Sequence, residues 1–154
     1  MIKVVNSIIP FAGYVAMTVF PFIFVRKDKS YKYDDVYDNH ERGIHGRQQL
    51  EMLCVGALIT AVLFLVGCSW WSLLALPIYF WWYLIEYGIR YVAYPSHKEA
   101  YRNISFEQEA YMNEEDFHYL TKRKWFAWVS YIGKKTYPDK QGKVKNLTFN
   151  NDNF

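Results

Sequence analysis

Two imidazoles and a carboxylate stand close together in Asn39-His40-Glu41-Arg42-Gly43-Ile44-His45, just ahead of an apolar helix. Histidines one turn apart on a helix face hold a divalent metal through ring nitrogens, and zinc suits such ligands. A glutamate beside the first histidine stays off the metal and takes a proton from the water that the metal acidifies. The third ligand must then come from elsewhere. Glu107, in Ile104-Ser105-Phe106-Glu107-Gln108-Glu109, is a candidate on a polar helix. For a lone glutamate, the plainer role is a solvated helical face.

The spacing departs from that scheme by one residue. His40 and His45 are five apart, and five steps of about 100° leave them roughly 140° apart on an ideal α-helix. Two arrangements repair this. Gly43 sits in a one-residue bulge of π type, or His40 lies at the helix start with a non-helical backbone.

Other polar residues fall along the same helices. Gln48 and Glu51 follow His45 and either polarise the site or cap the lipid boundary, the second being favoured. Glu86 and Arg90 are spaced i, i+4, which suits an ion pair and a structural clamp toward the first helix. His97 and His118 are expected at the surface. Cys54 and Cys68 are read as buried apolar thiols, about 21 Å apart along a helix and beyond disulfide reach.

These residues must be positioned by a membrane-bound frame. Met52 to Ile85 carry no charge, although the mean hydropathy of the whole chain is only -0.15. Aromatic residues make up 20%, and Tyr and Trp favour the headgroup level. A net charge of +3 is too modest to indicate nucleic acid. The expected class is a mainly α membrane protein, with a two-helix transmembrane hairpin and a small cytoplasmic part in one domain, 1–154.

Within it, residues 1–35 form a strand pair or membrane-surface segment, a membrane helix being the alternative. The β-branched and aromatic runs Tyr14 to Phe20 and Phe22 to Val25, split by Pro21, favour strands. Asp34 or Asp35 caps the next helix. Residues 36–66 carry the histidines into the first span, and Gly67-Cys68-Ser69 turns. Residues 70–94 form the second span, kinked at Pro77 and ended by Pro95. Residues 100–132 hold an acidic helix, Ser105 to Lys122 with Ser105 as cap, then a basic aromatic surface segment. Residues 133–154 are expected to be a mobile tail. Arg42, Arg47, Arg90, Lys98 and Arg102 flank the spans while the turn is uncharged, so both hairpin ends are expected in the cytoplasm.

Gly13 to Lys27, Asn39 to Glu51 and the segment AYRNISFEQEAY at Ala100 to Tyr111 resemble small bacterial membrane proteins, which look like minimal gluzincin metallopeptidases. The resemblance covers most of residues 8 to 132. It implies zinc held by His40, His45 and Glu107, with Glu41 as general base and Glu109 as the substitute third ligand. It also implies an inner-membrane location and a strand edge that pairs with an extended peptide. Two departures stand out: HExxxH replaces HExxH, and Tyr111 stands where an orienting Asp usually follows. They leave room for a second expectation, a non-catalytic subunit or scaffold keeping a zincin-like fold within a larger membrane complex.

Overall fold

The computed structural model describes residues 1–10, 13–94 and 96–134. Pro95 and the expected tail from 135 onward lie outside the described residues. A three-stranded sheet opens the chain: β1 Ile2–Asn6, β2 Ala16–Val19 and β3 Phe22–Arg26, in the order β1-β3-β2. β2 and β3 are the expected strand pair, antiparallel with Thr18 opposite Ile23. β1 is an addition that was not anticipated. It runs parallel to β3, and such a partner returns through a connection that leaves no local turn signal. Ile23 and Val25 are fully buried with Ala16 and hold the sheet on the helices.

The helical part begins at α1, Asp35–Asp38, where the Asp34 side chain accepts from Tyr37 N–H as an N-cap. The chain passes without a break through a π segment, Asn39–His45, into α2, Gly46–Leu65. Asp35–Leu65 is one helix long and apolar enough to cross a membrane, with mean hydropathy 1.7 over its best window. Its lower half carries exposed Leu58, Val62, Phe64 and Leu65. Cys54, on α2, and Cys68, in the turn beyond it, are free and exposed, not buried.

After the Gly67 turn, the chain forms a 3-10 segment, Ser69–Ala75, rather than the start of a long helix. Pro77 is the N-cap of α3, Ile78–Ala93, and so begins that helix instead of kinking it. Three shorter helices follow: α4 His97–Arg102, α5 Ser105–Asn113 and α6 Tyr119–Lys122. The expected acidic helix is therefore two pieces. Ile104, not Ser105, is the N-cap of α5. Glu86 reaches in from α3 instead, accepting from Ser105 N–H at 3.1 Å and from Ser105 Oγ at 2.5 Å. A carboxylate there also meets the positive end of the helix dipole. Arg90 holds the same carboxylate at 3.2 Å, so the Glu86–Arg90 clamp exists but grips α5, not the first helix.

The core lies where α2, α3 and α5 meet. Phe106 stacks on Tyr79 at 4.4 Å and packs on Trp128 at 4.5 Å, with Met52 and Ile104 around them. Gly56 lets α2 touch the returning chain. A Cβ there would lie 2.5 Å from the Ala75 carbonyl oxygen and 2.9 Å from that of Leu76. Backbone atoms cannot rotate aside, so Gly56→Ala should cost about 1–3 kcal/mol by overpacking. A lower thermal midpoint in detergent would show this, and an unchanged midpoint would mean the contact is slack.

Candidate metal centre

The π segment settles how two histidines five apart can meet. Gly46 donates its N–H to the carbonyl of Glu41, five residues back, and the widened turn places His40 and His45 on one face. Gly43 is the residue with room for it. A Cβ at Gly43 would fall 2.8 Å from Asn39 Oδ1 and 2.9 Å from a Leu120 methyl. Of the two possible arrangements, the structure adopts the π bulge.

Glu107 on α5 completes the group. His40, His45 and Glu107 are all buried, and their ligand atoms lie within 4.8 Å of one another. The Nε2 atoms of His40 and His45 are 3.1 Å apart. His45 Nε2 lies 3.4 Å from Glu107 Oε1, and His40 Nε2 lies 3.8 Å from Glu107 Oε2. A tetrahedral ion with bonds of about 2.0–2.1 Å spaces its ligands by about 3.3 Å, so the three side chains fit one.

The hydrogen bonds around the group fix its chemistry. Gln48 Nε2 donates to the Phe106 carbonyl and to Glu109 Oε2, both at 3.0 Å, so its oxygen must be the atom facing His45. His45 Nδ1 then donates to Gln48 Oε1 at 2.8 Å. His40 Nδ1 donates to Glu114 Oε2 at 2.7 Å. Both Nε2 atoms therefore present lone pairs, facing each other and a carboxylate. Glu107 Oε2 is buried without a hydrogen-bond partner. Three converging acceptors with no donor need a cation, either a proton or a metal ion. Where protons supply that charge, burial alone would raise the Glu107 carboxyl, but a charged His45 and bonds from His45 and His40 hold it well below the usual carboxylate range.

Glu41 stands beside this group and makes none of its contacts. Its Oε2 accepts from Thr18 Oγ1 at 2.8 Å, which fixes one carboxylate oxygen. Tyr83 Oη donates to Glu107 Oε1 at 3.0 Å, and Tyr79 Oη lies 3.4 Å from His45 Nδ1. A cleft of about 480 Å³ opens onto Glu41, His45 and Glu107, between β2 and α3.

Glu109 does not face the centre. It is fully buried and binds Arg123, whose Nε lies 2.5 Å from Oε1. Arg123 also forks onto Glu51, tying the end of α6 to α2 and α5. Gln48 thus holds His45 directly, while Glu51 holds Arg123. Arg123 turns inward from the basic segment because two buried carboxylates await it, while Trp125 stays exposed. His97 and His118 are exposed as expected, and His97 Nδ1 meets Tyr87 Oη at 2.5 Å.

Glu114 was not singled out in the sequence, although it stands seven residues beyond Glu107, two turns on the same side. Its carboxylate holds the His40 ring at Nδ1. Tyr111 instead sets its ring edge-on to His40, with centroids 4.8 Å apart.

No family model, curated protein or solved structure matches the chain, so the site stands on its own residues. Glu114→Gln keeps the shape but weakens the bond that orients His40. Metal affinity should fall about 10–100-fold, as for other outer-shell partners. Competition with a chromophoric chelator measures it, and an unchanged affinity would remove Glu114 from the site.

Proposed function

We propose that the chain is a membrane-embedded zinc metallopeptidase whose site lies at the cytoplasmic surface of a bacterial inner membrane. The observation that carries this reading is the buried His40, His45 and Glu107 group with a second carboxylate, Glu41, lining the same cleft. The long apolar helix and the exposed apolar side chains of α3 support a membrane hairpin. The uncharged turn at Trp70 and Trp71, against arginines at both far ends, supports cytoplasmic ends.

Zinc bound there would acidify water and polarise a scissile carbonyl. The chain's own residues do the rest. Glu41, steadied by Thr18, takes a proton from the attacking water as the oxygen bonds to the carbonyl carbon. It returns that proton to the amide nitrogen as the C–N bond breaks, so one water is consumed and an acid and an amine form. His40 and His45 keep Nε2 free because Glu114 and Gln48 hold Nδ1. The edge strand β2 offers backbone groups to an extended peptide.

The test is zinc per purified chain by elemental analysis, paired with hydrolysis of a casein-type substrate. The native protein should carry about one zinc, as the three-ligand site requires. His45→Ala should lose it. Glu41→Gln should keep the metal and lose hydrolysis by about 100-fold or more, the range for general-base removal. Deleting Arg42 should restore α-helical spacing and keep the zinc. Zinc without any Glu41-dependent hydrolysis would instead favour a scaffold within a larger membrane complex.

A further inference from the structure

The sheet ladder shows which backbone groups of β2 are open. Arg26 donates its N–H to the Val15 carbonyl at 2.9 Å, and Ala16 stands opposite Val25. Bonded pairs alternate along an antiparallel ladder. Val15, Met17 and Val19 therefore bond to β3, while Ala16 and Thr18 turn their N–H and C=O groups to the free edge. β2 is an outer strand of the sheet.

Gln49 already fills the far end of that edge. Its Nε2 donates to the Thr18 carbonyl at 2.7 Å, and its Oε1 accepts from Phe20 N–H at 2.8 Å. One carboxamide thus imitates the backbone of an added strand. Among the described residues, what remains is Ala16 N–H, Ala16 C=O and Thr18 N–H, on two residues that line the cleft with His45 and Glu107.

The cleft's other wall is Tyr79, Phe80, Tyr83 and Leu84 of α3. No Lys or Arg lines it among the described residues. Phe80 and Leu84 also stand exposed, Leu84 at 59%, so the rim merges with the apolar exterior of α3. Away from the metal centre, a chain end or acidic side chain would find no Lys or Arg here, whereas an uncharged backbone with apolar side chains finds both its needs.

We infer that the cleft takes a short, uncharged, apolar stretch from the interior of a polypeptide, extended along Ala16 and Thr18, with Gln49 marking where pairing stops. This rests on the metallopeptidase reading and names its substrate class.

The test uses the full chain loaded with zinc in detergent and four hydroxamate probes: acetohydroxamate, and the acetylated dileucyl, diaspartyl and dilysyl hydroxamates. Calorimetry reads their affinities, with His45→Ala protein correcting for uptake by micelles. Dileucyl hydroxamate should bind about tenfold or more tighter than acetohydroxamate, because a strand paired to β2 seats its apolar side chains in the cleft, and the charged probes no tighter. Ala16→Pro removes an outward N–H that the sheet does not use. It should erase the dileucyl advantage and leave acetohydroxamate unchanged. Leu84→Arg, an exposed change on the rim, should shift preference toward the diaspartyl probe. Equal affinity for all three dipeptides, with acetohydroxamate bound, would overturn the inference and leave the metal centre standing. Failure of every hydroxamate, acetohydroxamate included, would overturn the metal reading and the inference with it.

Discussion

The π segment Asn39–His45, closed by the bond from Gly46 N–H to the Glu41 carbonyl, is the constraint on which the candidate metal centre depends. On an α-helix the same two histidines would point about 140° apart and could not share an ion. The π turn is rare because it loses good hydrogen-bond geometry, and it survives where side chains around it over-determine it. Here His40 is held by Glu114, His45 by Gln48, and Glu41 by Thr18. Each partner lies on a different element or turn, so sheet, helix and connecting segment all lock the same seven residues.

That locking propagates outward. Gln48 is itself oriented by the Phe106 carbonyl and Glu109, and Glu109 by Arg123 and Tyr119. A buried arginine between two carboxylates gives little net stability but is very costly to break on one side, about 3–5 kcal/mol. It therefore fixes the position of α5, and with it Glu107, relative to α2. The second anchor is Glu86, which caps α5 from α3. Two charged contacts, one at each side of the site, thus set the depth at which Glu107 meets the histidines.

Much of this frame was legible in the residues. The β-branched runs around Pro21 specify β2 and β3, and the uncharged stretch after Met52 specifies apolar helices. His40, Glu41 and His45 could be grouped by residue type, with the bulge at Gly43 one of two ways to join the histidines, whereas Glu107 read as a solvated face on its residues alone and was favoured only through the resemblance. What stayed hidden depends on partners far along the chain. β1 joins β3 from beyond a connection with no turn signature. Arg123 sits in a basic run that looks like a surface segment until Glu51 and Glu109 are placed beside it. Ser105 looks like a cap because its own sequence cannot show that Glu86 arrives first. Glu114 was visible as a spacing from Glu107, but only the folded π turn shows which nitrogen it must hold.

X-ray absorption at the zinc edge, on protein purified without added metal, tests the centre most directly. The arrangement predicts a light-atom shell of two imidazole nitrogens and carboxylate or water oxygen at about 2.0–2.1 Å, with no sulfur. A shell containing sulfur at about 2.3 Å, or no bound metal at all, would contradict it.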